Sequence, residues 1–128
     1  MSDIIYAKES YDIKKACINV KNELSFGFLE RIYEKALKLE LENMNYKVKE
    51  QYPIDIYYKN KKLCDGFYAD LVVNDKIIIE LKAVKEILDI HKAQLLNYLK
   101  ASKMKLGLLI NFRNNAKSFD FIRIVNTR

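Results

Sequence analysis

Tyr68-Ala69-Asp70-Leu71-Val72-Val73-Asn74-Asp75-Lys76-Ile77-Ile78-Ile79-Glu80-Leu81-Lys82 is the stretch whose reading decides the fold. Two runs of Val, Ile and Leu flank Asn74-Asp75, a turn signal, so the segment reads as a hairpin of two buried β-strands. Asp70, Glu80 and Lys82 interrupt those runs. Charge in a buried strand is costly unless it is paired or holds a metal, so three such residues within thirteen positions need a reason. Loop length selects it. A two-residue loop sets Asp70 opposite Ile79 and turns Glu80 to the other side of the sheet. A three-residue loop over Asn74, Asp75 and Lys76 sets Asp70 opposite Glu80. Lys82 then shares their side, because strand side chains alternate with period two. The odd loop, or an equivalent bulge, is the expectation. It brings two carboxylates to a cross-strand distance, a hard-oxygen pair suited to Mg²⁺, with a lysine beside it for a phosphate or an attacking water. The competing reading is a surface hairpin carrying a Glu–Lys ion pair.

Upstream, Ile13, Ala16, Cys17, Val20 and Leu24 recur at helical spacing over residues 11–24, and Ser25-Phe26-Gly27 interrupts them. A second helix is expected from Phe28 to Met44, with Leu29, Ile32, Tyr33, Ala36, Leu37, Leu41 and Met44 as its apolar stripe. Glu30 falls in its first turn, where the helix dipole favours a carboxylate, and projects from the same side as Tyr33. Residues 48–58 read as the first strand, which Pro53 confines to an edge or a bulge. Lys59-Asn60-Lys61-Lys62 is a charged turn, and the second strand starts at Leu63 with a bend at Gly66.

Beyond the hairpin a helix is expected from Lys85 to Ser102, burying Ile87, Leu88, Leu95 and Leu99. His91, Gln94 and Tyr98 occupy a neighbouring face. Leu106–Phe112 reads as a buried strand and Phe119–Val125 as a last, alternating one. The order is α-α-β-β-β-α-β-β with no repeat or linker, one domain over residues 1–128. The class is α/β. A mixed central sheet is expected, a three-stranded antiparallel meander joined by a helix crossover to a further strand, with helices flanking it.

A net charge of +6 favours polyanionic partners such as nucleic acid. No window approaches the roughly 18–20 apolar residues that span a bilayer. The segment Met1–Glu9 is too mixed in charge for a signal peptide. No membrane partner and a cytoplasmic location are therefore expected. Cys17 and Cys64 lie far apart with no second pair, which offers no zinc spacing. A structural disulfide is not expected in a reducing compartment, and Cys17 reads as a core thiol.

This arrangement resembles the PD-(D/E)XK nuclease superfamily, whose restriction-endonuclease-like core carries metal carboxylates on the second and third strands of its meander. Asp70 and Glu80-Leu81-Lys82 match its D-x(n)-E-x-K pattern, with Ala69 in place of the nominal proline. Gly27-Phe28-Leu29-Glu30-Arg31-Ile32-Tyr33 reads G-x-x-E-x-x-Y, the signature that names the GxxExxY family within the superfamily. Gln94-Leu95-Leu96-Asn97-Tyr98 reads Q-x-x-x-Y, similar to a motif of RecB-like nucleases, and Lys105–Phe112 is similar to the GxxExxY family's last core strand. Leu24-Ser25-Phe26-Gly27 departs from the Gly-Pro turn usual there but keeps Gly27 and Glu30 in place. The resemblance runs from about Tyr11 to Val125.

The resemblance implies metal-dependent hydrolysis of phosphodiester bonds in nucleic acid, DNA before RNA. Asp70, Glu80 and the Leu81 carbonyl would hold Mg²⁺ or Mn²⁺, with Glu30 joining directly or through water. Lys82 would position or deprotonate the attacking water, and Gln94 would orient Lys82, the ligands or a nucleotide. Tyr33 and Tyr98 would pack the site or stack on a base, and Lys85, Lys92, Lys100 and Lys103 would track backbone phosphates. His91 is a candidate base, though a solvated or structural role is the plainer expectation. The alternative function is a nucleic-acid-binding or regulatory module of the same fold with little activity, targeted by a protein partner or a homodimer. A third is a protein-interaction domain whose carboxylate pair is incidental.

Overall fold

The apolar run Ile77–Lys82 becomes the central strand of a five-stranded sheet, covered on both faces, which is why it needs no alternation. The computed structural model describes residues 4–63 and 66–127. In chain order the elements are α1 (Ala7–Leu24), α2 (Glu30–Asn43), β1 (Val48–Ile54), β2 (Tyr57–Tyr58), β3 (Lys61–Lys62), β4 (Phe67–Val73), β5 (Ile77–Lys82), α3 (Asp89–Ser102), β6 (Leu106–Asn111) and β7 (Asp120–Val125). The large sheet runs β1-β4-β5-β6-β7. Strands β1, β4 and β5 form an antiparallel meander, α3 crosses over to make β6 parallel to β5, and β7 returns antiparallel. This is the mixed α/β architecture of a restriction-endonuclease-like core.

Two apolar layers hold the sheet. One joins Ile13, Cys17, Leu37 and Leu41 of α1 and α2 to Leu71, Val73, Ile79 and Leu108; the other joins Leu95 and Leu99 of α3 to Val72, Ile78 and Leu109. Cys17 is a core thiol, fully buried. Among the described residues no helix is long and apolar enough to cross a membrane.

Several boundaries differ from the sequence reading. Helix α1 begins at Ala7, ahead of residue 11. The strand read over 48–58 stops at Ile54, and Tyr57–Tyr58 pairs instead with Lys61–Lys62 in a separate hairpin. The second long strand starts at Phe67, after Gly66, where a side chain would lie 2.5 Å from the Ile54 carbonyl oxygen. That close approach is what glycine permits. Cys64 lies outside the described residues.

Helix α3 begins at Asp89 instead of Lys85 because Asn111 captures the intervening chain. Its Oδ1 accepts the Val84 and Arg113 N–H groups at 2.9 and 3.1 Å. Its Nδ2 donates to the Val84 carbonyl at 3.0 Å and to Asp120 Oδ2 at 3.1 Å. A fully buried amide thus fastens the segment that follows Lys82 to β6 and β7. Asn111→Leu strips the Val84 N–H, the Val84 carbonyl and the Arg113 N–H of their side-chain partner at once, while Asp120 keeps Arg113, and each group left unsatisfied costs about 1–3 kcal/mol. Urea denaturation is expected to show a loss of about 3 kcal/mol or more; a loss below about 1 kcal/mol would show that the segment finds other partners.

Alternation breaks at one level of the meander. In β4, Leu71 and Val73 face the α1/α2 layer, yet Ala69 and Phe67 pack in the α3 layer. In β1, Val48 and Ile54 are likewise an even number of residues apart and lie in opposite layers. Constant register across Glu50↔Leu71 and Tyr52↔Ala69 puts the crossover at Gln51 and Asp70.

Candidate active site

The hairpin closes with the odd loop. Val73 pairs with Ile77, leaving Asn74, Asp75 and Lys76 as the loop. Asn74 and Asp75 both adopt left-handed backbone (φ 52° and 58°), which these residue types tolerate better than most. Lys76 N–H donates to the Val73 carbonyl at 3.0 Å. Backbone pairing between β4 and β5 runs from Val73↔Ile77 to Leu71↔Ile79, so Asp70 and Glu80 come next and stand opposite each other.

There the pairing becomes one of side chain with backbone. Asp70 N–H donates to Glu80 Oε1 at 3.1 Å, and Leu81 N–H donates to Asp70 Oδ2 at 2.7 Å. The carboxylates thus satisfy two donors that a continued ladder would have used. Glu80 Oε2 accepts no hydrogen bond from the described residues. None of their buried side-chain oxygens is left unsatisfied, so this oxygen reaches solvent.

Electrostatics set the character of the pair. Burial, then the charge of Asp70, pushes the Glu80 carboxyl up to about 8. Burial also raises Asp70, against the Leu81 N–H that lowers it. Glu30 adds to the negative potential at both, and Lys82 offsets it at both. Lys82 makes no ion pair within 4.0 Å among the described residues, so the surface Glu–Lys bridge is not what the hairpin carries.

Glu30 is the first residue of α2. Gly27 adopts φ 111°, open to glycine and strained for other residues. Tyr33, a turn further on, donates its hydroxyl to the Ser25 carbonyl at 2.7 Å. The two together close the α1–α2 turn that presents Glu30. Tyr33 is completely buried and stacks on Phe112, with ring centroids 4.7 Å apart. It packs the core, and the reading of Tyr33 as a base-stacking residue is corrected accordingly.

Helix α3 supplies less than its motif suggested. Tyr98 is half-buried, stacks on Phe67, and has its phenol raised by burial and by the charge of Glu80. Gln94 is exposed and makes no hydrogen bond among the described residues, so it orients neither Lys82 nor the carboxylates in this state. His91 is structural: its Nδ1 accepts the Leu88 N–H at 3.0 Å and caps the helix start. Lys85, Lys92, Lys100 and Lys103 are exposed and free of ion pairs among the described residues.

Two further residues join the site. Glu34, buried one turn after Glu30, is pushed up to about 7 by burial and by its contact with Glu50. Gln51 Nε2 donates to both Glu34 oxygens. With Glu30, Arg31, Lys35 and Glu50 they line a cleft of about 380 Å³. Glu34 could have been found by its spacing from Glu30 on one helix face. Nothing in the sequence marks Gln51.

The chemistry of the donor set suits a hard divalent cation. A carboxyl raised by the charge of the carboxylate opposite it gains from an intervening positive charge, and solvent-facing oxygen is what such an ion takes. Among the described residues no three His, Cys, Asp or Glu side chains converge on one point. Glu30 therefore does not join Asp70 and Glu80 as a third direct donor in this arrangement.

Comparison with known proteins agrees with this geometry. No curated protein matches the chain. Among solved structures it is similar to the crystal structure of SSO0001, at 23% identity and a TM-score of 0.58 over 76% of this chain and 50% of that one. The likeness is one of fold, and the chain spans half of that structure's length. A sequence model of the PD-(D/E)XK nuclease superfamily matches residues 7–124, taking in Glu30, Asp70, Glu80 and Lys82. With nearly its whole length matched and the carboxylate pair seated on adjacent meander strands, the chain belongs to the PD-(D/E)XK nuclease superfamily.

Proposed function

We propose that the protein is a metal-dependent nuclease of the GxxExxY type that hydrolyses phosphodiester bonds in nucleic acid, DNA before RNA. The observation that carries this is the exchange at Asp70 and Glu80, where a half-buried and a buried carboxylate take over backbone donors of the β-ladder with Lys82 alongside. A fold has no use for that exchange as packing, since buried carboxylates cost stability unless something offsets their charge.

Asp70, Glu80 and the Leu81 carbonyl would hold Mg²⁺ or Mn²⁺, with Glu30 acting through water. The bound cation would supply a water of lowered pKa and a Lewis acid for the phosphate. Lys82 orients the attacking water and offsets charge that builds on the phosphate oxygens. Tyr98 walls the site on the α3 side. The exposed Lys85, Lys92, Lys100 and Lys103 bind backbone phosphates, which gives affinity without sequence preference. Gln94 is left to meet the substrate.

The test incubates purified protein with single- and double-stranded DNA and RNA, with Mg²⁺, with Mn²⁺ and with chelator. Cleavage that needs the cation is the expected result. Binding without cleavage on every substrate and with both metals would overturn the enzyme in favour of a nucleic-acid-binding module.

A further inference from the structure

Gln51 stands in the middle of edge strand β1 with φ at 49°, a left-handed conformation that is strained for a residue with a side chain. The pairs Glu50↔Leu71 and Tyr52↔Ala69 bracket it and set it opposite Asp70, at the level where both strands exchange faces. A left-handed residue reverses the local twist, which is how a strand's side chains come to change sides without an inserted residue. The side chain then spans two elements. Its Nε2 donates to Glu34 Oε1 and Oε2 at 3.2 and 3.3 Å, and the same amide favours the charged form of Asp70. Glu34 is fixed in turn, buried on α2 one turn beyond Glu30.

From this geometry we infer that Gln51 is a positioning residue for the carboxylate pair: its left-handed backbone turns the meander at Asp70, and its amide ties that turn to Glu34 of α2. The inference rests on the metal-dependent reading above. Asp70 is held on one side by the Leu81 N–H. On the other side the Gln51 amide, held on Glu34, favours the ionised carboxylate that a cation needs. Coupling through Glu34 also keeps α2, and with it Glu30, in register with β4. Partners one shell out from a metal commonly carry about 10–100-fold in affinity.

The test is Mn²⁺ affinity, read by electron paramagnetic resonance on purified protein without nucleic acid, alongside melting temperature. Gln51→Gly keeps the left-handed backbone and removes the amide. It is expected to melt close to wild type while binding Mn²⁺ about 10–100-fold more weakly. Gln51→Asn, which tolerates the same backbone, is expected to recover part of that loss. Wild-type affinity in Gln51→Gly overturns the positioning role. Should that variant fail to fold, Glu34→Ala reads the same tether from α2, and unchanged affinity there overturns the role equally. A wild-type protein that binds no Mn²⁺ overturns the metal-site reading and this role with it. Binding by the wild type with no loss in the variants overturns this role alone.

Discussion

Glu80→Gln is expected to abolish cleavage and, in the same variant, to raise the melting temperature of the metal-free protein at neutral and alkaline pH. The Glu80 carboxyl is held up to about 8 by burial and by Asp70, against an ordinary value of 4.5. The folded state therefore keeps its proton more tightly than the unfolded chain does. Where the unfolded state binds fewer protons, stability falls as pH rises. For this group the penalty is absent below about 4.5, grows as pH rises towards about 8, and is fully present above that. Glutamine keeps an oxygen for the Asp70 N–H and carries no charge to bury.

Calorimetry in chelator from pH 5 to pH 8.5 checks this. The wild type is expected to lose stability across the window and the variant to lose less. Glu34, raised to about 7, keeps part of the slope in both. Adding Mn²⁺ at pH 8 is expected to stabilise the wild type and leave the variant unmoved. A variant that tracks the wild type in chelator would remove the electrostatic account of the site.

Lys82→Met is expected to lose about 10²–10³-fold in cleavage rate while binding Mn²⁺ at least as tightly as the wild type. Lys82 partly offsets the negative potential at both Asp70 and Glu80. Removing it leaves more net negative charge for a divalent cation. Rate and affinity therefore move in opposite directions, which no general destabilisation produces. Methionine preserves most of the stem's volume, so the half-buried position stays filled. Lys82→Arg is not a neutral swap either, because a planar guanidinium presents its charge in a different geometry. Single-turnover cleavage and Mn²⁺ titration on one preparation measure the two effects. A parallel loss of rate and affinity would place Lys82 in the metal site's architecture, with no separate part in the reaction.

Much of this was legible in the residues. The β-branched runs around Asn74-Asp75 determine a hairpin, and its three-residue loop was the expected one of two lengths that the residues allowed. The pairing of Asp70 with Glu80 follows from that loop alone. The periodicity of α1, α2 and α3 determines which faces they bury, because an apolar stripe has no other use in water. Gly27, Glu30 and Tyr33 could be seen as a unit, although Tyr33 proved to be the anchor of the turn and no part of a substrate surface.

What only the tertiary structure decided are the events where distant segments meet. Period-two alternation cannot report a break in alternation, and the break at Gln51 and Asp70 directs the carboxylate towards Leu81. Helix α3 was shortened because an asparagine 27 positions downstream took the Val84 backbone. Gln94 matched its motif and makes no hydrogen bond among the described residues, whereas Gln51 matched none and bonds Glu34 across from β1 to α2. Local pattern fixes which side a residue faces. Where its polar atoms go depends on the unsatisfied groups that packing brings within hydrogen-bond reach, and those belong to other parts of the chain.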